Sequence, residues 1–138
     1  MTKVNDFVIK FANVNGSGSA SANLMFAKTI FKMGIPVSPK NIFPSNIQGL
    51  PTWYEIRVNK DGYIARRDGI DCLIALNPQT YQSDIKEVVR GGYLIYDNTM
   101  DRKFSRKDLN IIGIPMASIC AEYYDDPRQR QLFKNIVC

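Results

Sequence analysis

Five consecutive small or amide side chains, Asn15-Gly16-Ser17-Gly18-Ser19, separate an apolar run from a helical pattern. At such a junction, exposed backbone N–H groups and the positive end of a helix dipole favour an anion, so a phosphate-bearing ligand is one candidate occupant. The spacing departs from the dinucleotide loop G-x-G-x-x-G because position 21 is Ser, and no Walker lysine follows. A tight βα turn that needs small residues explains the same string. A second segment, Ser45-Asn46-Ile47-Gln48-Gly49-Leu50, is polar without charge, and Gly49 lets backbone approach another surface closely. Ligand contact, subunit contact and an ordinary surface loop all fit it. Asn77, in Asn77-Pro78-Gln79, stands where a buried strand ends, the place where open α/β sheets collect ligands; a helix-initiating turn is the other reading.

Other chemistry is excluded by residue type. The 138 residues contain no histidine, which removes Ser-His and Cys-His nucleophile pairs, imidazole proton shuttles and His-ligated metals. Cys72, Cys120 and Cys138 form no C-x-x-C, which leaves a zinc or iron–sulfur site short of ligands, and their odd number argues against a disulfide framework. Cys72 and Cys120 sit in apolar stretches and read as reduced, buried small hydrophobes, which favours the cytoplasm. The paired carboxylates Asp125-Asp126 are explained by helix capping, so no catalytic set can be assembled and no metal site is expected. A net charge of +5 permits an anionic partner. The basic residues scatter without interleaved aromatics, however, and nucleic acid is not expected. No membrane segment is expected either: the first apolar run carries Lys10, and the longest, near 111–121, is broken by Pro115.

The elements that would position these loops follow from periodicity. Residues 7–12 are apolar and rich in β-branched and aromatic side chains, predicting a strand that stops at Asn13. From Ala20, apolar residues recur at helical spacing through Leu24, Ala27 and Phe31, and Gly34, Ile35 and Pro36 mark the helix end. Residues 37–43 predict an edge strand because of Pro39. Residues 53–58 alternate, and the turn chemistry of Asn59-Lys60-Asp61-Gly62 predicts a hairpin whose second arm is 63–67. The apolar run 72–76 predicts a strand buried on both faces. A helix over 80–89 closed by Gly91-Gly92, a strand over 93–96, a charged connection over 97–108 and a strand from Asn110 continue the pattern. Asp126 and Pro127 start a last helix whose apolar face, Leu132, Phe133, Ile136 and Val137, still runs at residue 138, as in a truncated domain or a fraying terminal helix. The fold class expected is α/β: one domain over 1–138, three layers (αβα), with a mostly parallel, mixed sheet and a β-hairpin insertion.

The string Asn13 to Ala20, the run from Lys40 to Val58 centred on Pro44-Ser45-Asn46-Ile47-Gln48-Gly49-Leu50-Pro51, the segment Ala75-Leu76-Asn77-Pro78-Gln79-Thr80 and the stretch from Asp126-Pro127-Arg128 to Asn135 resemble the gamma domain of 2-oxoacid:ferredoxin (acceptor) oxidoreductases. The resemblance is to the type fused to the N-terminus of the alpha subunit, and it spans nearly the whole chain. Where that family carries G-x-G-G-Q-G, this sequence reads Asn13-Val14-Asn15-Gly16-Ser17-Gly18 and keeps two of the glycines; where it carries I-R-G-G, this one reads Ile47-Gln48-Gly49-Leu50.

The resemblance implies an oxidoreductase complex of the pyruvate/ketoisovalerate kind. Such a complex oxidatively decarboxylates a 2-oxoacid, of the 2-oxoglutarate or pyruvate type, to an acyl-coenzyme A. It also implies thiamine diphosphate as cofactor and iron–sulfur clusters that pass electrons to ferredoxin, with those sites in the alpha and beta portions and this chain inactive by itself. On that reading Asn15, Gly16, Ser17, Gly18, Ser19, Ser45, Asn46, Gln48, Gly49 and Asn77 contact coenzyme A or the catalytic subunits, and the domain is truncated at its C-terminal end. The alternative is a free-standing α/β module that binds a nucleotide or other anion at Gly16-Ser17-Gly18. A third reading makes both loops protein interface only.

Overall fold

The computed structural model describes residues 4–137; Cys138 lies outside them. Strand β1 (Asp6–Val14) is central. It runs antiparallel to β3 (Pro51–Asn59) along its whole length, from Asp6 opposite Asn59 to Val14 opposite Pro51. On its other side it lies parallel to β4 (Ile70–Ala75), with Ile9 beside Cys72. Strand β2 (Val37–Ile42) pairs with the far side of β3 and forms one edge, where Pro39 costs no ladder bond. Strands β5 (Val88–Asp97) and β6 (Asn110–Ile114) extend the sheet in parallel, giving the order β2-β3-β1-β4-β5-β6. The sheet is mixed and the α/β class holds.

One face is covered by α1 (Ser19–Lys32), α3 (Met116–Tyr123) and α4 (Pro127–Val137). There Phe11, Ile56, Val58 and Ile74 of the strands meet Ala27 and Ile30 of α1 and Met116 of α3. The opposite face has a thinner cover. It consists of α2 (Tyr81–Asp84), a following 3-10 turn (Ile85–Glu87) and the connection 98–109. Phe104 of that connection packs edge-on against Tyr81 and Tyr96, and Ile85, Val88, Leu73 and Leu94 fill the space beneath. Helix α1 ends as expected: Gly34 takes φ +80°, its N–H donates to Phe31 O at 2.9 Å and the Ile35 N–H to Ile30 O at 3.4 Å, so Ile35 folds back onto the core.

Four expectations are corrected. Residues 63–67 do not form a hairpin arm. The turn forms, with Asn59 Oδ1 accepting the N–H groups of Asp61 and Tyr63 at 3.0 and 3.2 Å, but both edges of β3 are already occupied by β1 and β2. Arg66 instead donates twice to the Glu55 carboxylate, at 3.1 and 3.0 Å, and the hairpin is β2–β3. The helix over 80–89 stops at Glu87, because Val88, 3% exposed, joins β5 beside Ile70. Gly91-Gly92 is then no helix cap but an irregularity inside β5. Gly91 has φ +76°, and a side chain on Gly92 would meet Val89 O at 2.9 Å and Asp71 O at 3.0 Å.

Helix α1 is also rotated from the predicted stripe. Leu24 and Phe31 are exposed, and Ser19, Asn23, Ala27 and Ile30 face inward, with Ala27 and Ile30 packed in the core against the sheet. Finally, Cys120 is buried as expected, but Cys72 is only half-buried; burial, with the neighbouring Asp71 carboxylate, still pushes its thiol up to about 11. Helix α3, directly after Pro115, was not foreseen.

Candidate functional site

The two amide-rich loops meet at the end of β1 where it gives way to α1. Asn15 joins them: its N–H donates to Leu50 O at 2.8 Å, its carbonyl accepts from the Gly49 N–H at 3.0 Å, and its side-chain amide donates to Ile47 O at 3.1 Å. Ser45 Oγ in turn accepts the Ile47 N–H at 3.2 Å. Gly16 sits beneath Gln48, at φ +84°, and an added Cβ would lie 2.8 Å from Gln48 Cγ. Gly18 caps α1 at φ +79° against Leu132 of α4, where an added Cβ would lie 2.4 Å from Cδ2. Both glycines are therefore needed for conformation, while the exposed Gln48 and Leu132 side chains over them can give way. Helix α1 has no side-chain cap at its N-terminus and no acidic residue in its first turn.

Behind the loop, Ser17 faces α4. Its carbonyl accepts from the Asn135 side-chain amide at 2.8 Å, and its own hydroxyl is buried without a partner. In front of the loop lies a cavity of about 350 Å³. Of the predicted residues, Asn15, Gly16, Gly18, Ser19 and Asn46 line it; Ser17, Ser45, Gln48 and Gly49 do not, although Gln48 and Ser45 shape its walls through the contacts above. Gly49 faces open space. Asn77 stands apart. Fully buried, it donates from its amide to Asn13 O at 3.0 Å and accepts the Gln79 N–H at 2.8 Å, so it holds the ends of β1 and β4 together behind the cavity.

Sequence reading missed Asn13, Asn23, Asn41, Phe43, Trp53 and Tyr54, which line the cavity together with Ala20, Ser21 and Thr52. Asn13 and Asn23 are each only 3% exposed. The available signal was an asparagine on the inward stripe of a helix and another at the buried end of a strand, where an amide is out of place unless something meets it. Trp53 is held by its indole N–H, which donates to Asp84 Oδ1 at 2.9 Å, and by Lys10, whose ammonium lies 5.7 Å from the ring. Burial pushes the Asp84 carboxyl up, against the hydrogen bond from Trp53, and burial likewise raises the Tyr54 phenol.

Five asparagines and three aromatic rings line the cavity, and no Lys, Arg, Asp or Glu does. Such a wall can hold a neutral ligand through paired donors and acceptors; it offers no nucleophile–base pair. Among the described residues no group of three His, Cys, Asp or Glu side chains could hold a metal ion, so they do not fit an iron–sulfur cluster. Among the described residues no helix is long and apolar enough to cross a membrane.

The six-stranded mixed sheet, with a cavity lined by uncharged residues at the end of a central strand, defines an α/β domain. Residues 8–138 match the pyruvate ferredoxin/flavodoxin oxidoreductase family, and the chain belongs to that family. It is 26% identical over 92 residues to subunit alpha of 2-oxoacid:ferredoxin oxidoreductase 2 of Aeropyrum pernix, a match covering 67% of this chain and 14% of that protein. Its fold is similar to 2-oxoglutarate:ferredoxin oxidoreductase from Magnetococcus marinus, a structure with 2-oxoglutarate, coenzyme A and succinyl-CoA bound: TM-score 0.80, 22% identity, 94% of this chain and 23% of that one. It is also similar to the gamma subunit of a keto/oxoacid ferredoxin oxidoreductase from Geobacter sulfurreducens, with TM-score 0.73, 16% identity and 94% and 71% coverage. A pyruvate oxidoreductase subunit from Thermotoga maritima matches with TM-score 0.62, 14% identity and 97% and 94% coverage. The chain thus spans less than a quarter of the first two relatives.

Proposed function

We propose that this chain is the gamma-type portion of a 2-oxoacid:ferredoxin oxidoreductase, of the kind fused to an alpha portion, and that its two amide-rich loops contact coenzyme A. The complex, with alpha and beta portions, oxidatively decarboxylates a 2-oxoacid of the 2-oxoglutarate or pyruvate type to an acyl-coenzyme A in the cytoplasm, and ferredoxin receives the electrons. Thiamine diphosphate and iron–sulfur clusters take their ligands from those other portions. This chain's part is positional: it holds one end of the coenzyme and turns over nothing by itself.

The observation that carries the reading is the convergence of loops 15–19 and 45–50, through Asn15, on a cavity beside the uncapped start of α1. The family membership and the coenzyme A bound in the Magnetococcus marinus relative support it. The test is to replace Gln48 and Gly49 together in the intact complex and measure assembly and coenzyme A affinity. The expected result is assembly retained with apparent affinity for coenzyme A reduced about tenfold, the cost of roughly one well-made polar contact. Unchanged assembly together with unchanged affinity would sink the proposal.

A further inference from the structure

Behind the loop 15–19 lies a second, much smaller cavity of about 30 Å³. Ser17 borders it from the loop, Asn13 from the end of β1, and Gln131, Lys134 and Asn135 from α4. Ser17 is 5% exposed, and its hydroxyl oxygen is buried with no hydrogen-bond partner among the described residues. The carbonyl of the same residue is served, by the Asn135 amide at 2.8 Å, so the hydroxyl is the group of Ser17 that folding leaves with a bond to make. A hydroxyl sealed away without a partner costs its full desolvation, and native folds meet such groups with protein or with bound water. Here the unmet hydroxyl and a space for its partner fall on one residue.

Size and charge decide what that partner is. The cavity, at about 30 Å³, exceeds the roughly 10–15 Å³ that one water molecule needs and leaves no room for an organic ligand. Lys134 brings the only charged side chain to the lining, and its ammonium lies 2.5 Å from Asp97 Oδ2. A cation is therefore repelled, and an anion meets an ammonium already neutralised by a buried carboxylate. The occupant must be neutral, small and able both to donate and to accept. Water has those properties, and the carboxamide residues Asn13 and Gln131 beside Ser17 supply the further partners that a held water requires, usually about three in all.

We infer that a water molecule is built into the back of the loop, bonded to Ser17 Oγ and to at least one polar group of β1 or α4. Through it α4 holds the loop at the side chain of Ser17 as well as at its carbonyl. The inference goes beyond the coenzyme A reading and stands whether or not the loops contact that ligand.

The test joins a high-resolution crystal structure of the full chain to the melting temperatures of the native protein and Ser17→Ala. A single density peak is expected within hydrogen-bond distance, about 3.2 Å, of Ser17 Oγ and of one further polar atom of the lining. No peak there overturns the inference. An anomalous peak at the same place in crystals soaked in sodium bromide also overturns it, because the occupant is then an anion. Ser17→Ala should lose the peak and melt about 3 °C or more below the native protein, since the water loses a bond that the hydroxyl had made. The amide of Gly18 should exchange faster in the same variant. A hydroxyl that simply has no partner gives the opposite sign: its removal leaves the melting temperature equal or higher, and that result overturns the inference. Should Ser17→Ala fail to fold, the native density decides alone.

Discussion

Asn15 is the residue on which the two loops depend. Its backbone and side chain make three hydrogen bonds of 3.1 Å or less to the 47–50 segment, and Asn15→Ala removes the side-chain one while leaving Ile47 O to water. The expected cost is about 1 kcal/mol in chemical denaturation, together with faster amide exchange at Gly49 and Leu50. Gly16 and Gly18 differ from Gly49 in what surrounds them. All three have positive φ, but only the first two have a neighbour inside van der Waals distance of an added Cβ. Gly18→Ala should therefore cost somewhat more than Gly49→Ala, about 2 against about 1 kcal/mol, because the exposed Leu132 side chain must shift in addition to the backbone strain. Equal melting temperatures for the two variants would show that the Leu132 contact does not set the requirement. Of the residues lining the cavity, Asn15, Gly16, Gly18, Ser19 and Asn46 were legible from type and local context; Asn13, Asn23, Asn41, Phe43, Trp53 and Tyr54 were not, because which side chains face a cavity is invisible until a second element closes over it.

At the scale of elements, α4 fixes the back of the site. Its Lys134 reaches Asp97 at the end of β5, with Nζ 2.5 Å from Oδ2, its Asn135 holds the Ser17 carbonyl and its Leu132 covers Gly18. Burial of Asp97, 1% exposed, raises its carboxyl, but the hydrogen bonds from Lys134 and Thr99 outweigh burial and hold it below the ordinary range. The sign follows from linkage. A depressed folded value means that the stabilisation is complete above the unfolded carboxylate value of about 4 and is lost as pH falls through the folded one. Helix α4 should therefore loosen in acid and not in mild alkali, read as loss of amide protection in 127–137 as pH falls below about 4. Lys134→Met leaves Asp97 buried without its cation and should cost about 3 kcal/mol near pH 7, with Asp97→Asn/Lys134→Met recovering much of it. The helix itself was readable from Asp126, whose carboxylate accepts the Arg128 N–H at 2.9 Å, and from Pro127. Its ion pair was not, since residues 97 and 134 come together only when β5 and α4 pack.

For the molecule as a whole, the sheet is the scaffold that brings the two loops together at one end of β1, in a chain that belongs to an oxidoreductase family and spans less than a quarter of the first two relatives it matches. Cys72, with its thiol pushed up to about 11, should react with iodoacetamide near pH 7 at least about tenfold more slowly than an unperturbed thiol, as peptide mapping would read it. Labelling at the ordinary rate would mean that the sheet face over β4 opens readily. Sequence alone determined the α/β class, the strand and helix around the first loop, the Gly34 helix end, the edge position of β2 and the uncharged character of both loops, because each is written in local periodicity, turn chemistry or residue type. Tertiary structure decided the rest. Residues 63–67 have a sound turn before them but no free strand edge to join, Val88-Val89 leave a helical pattern because β4 offers a ladder, and α1 turns Asn23, Ala27 and Ile30 rather than Leu24 and Phe31 toward the sheet. In each case the outcome depends on which surface is already occupied, a competition between distant segments that no window along the chain contains.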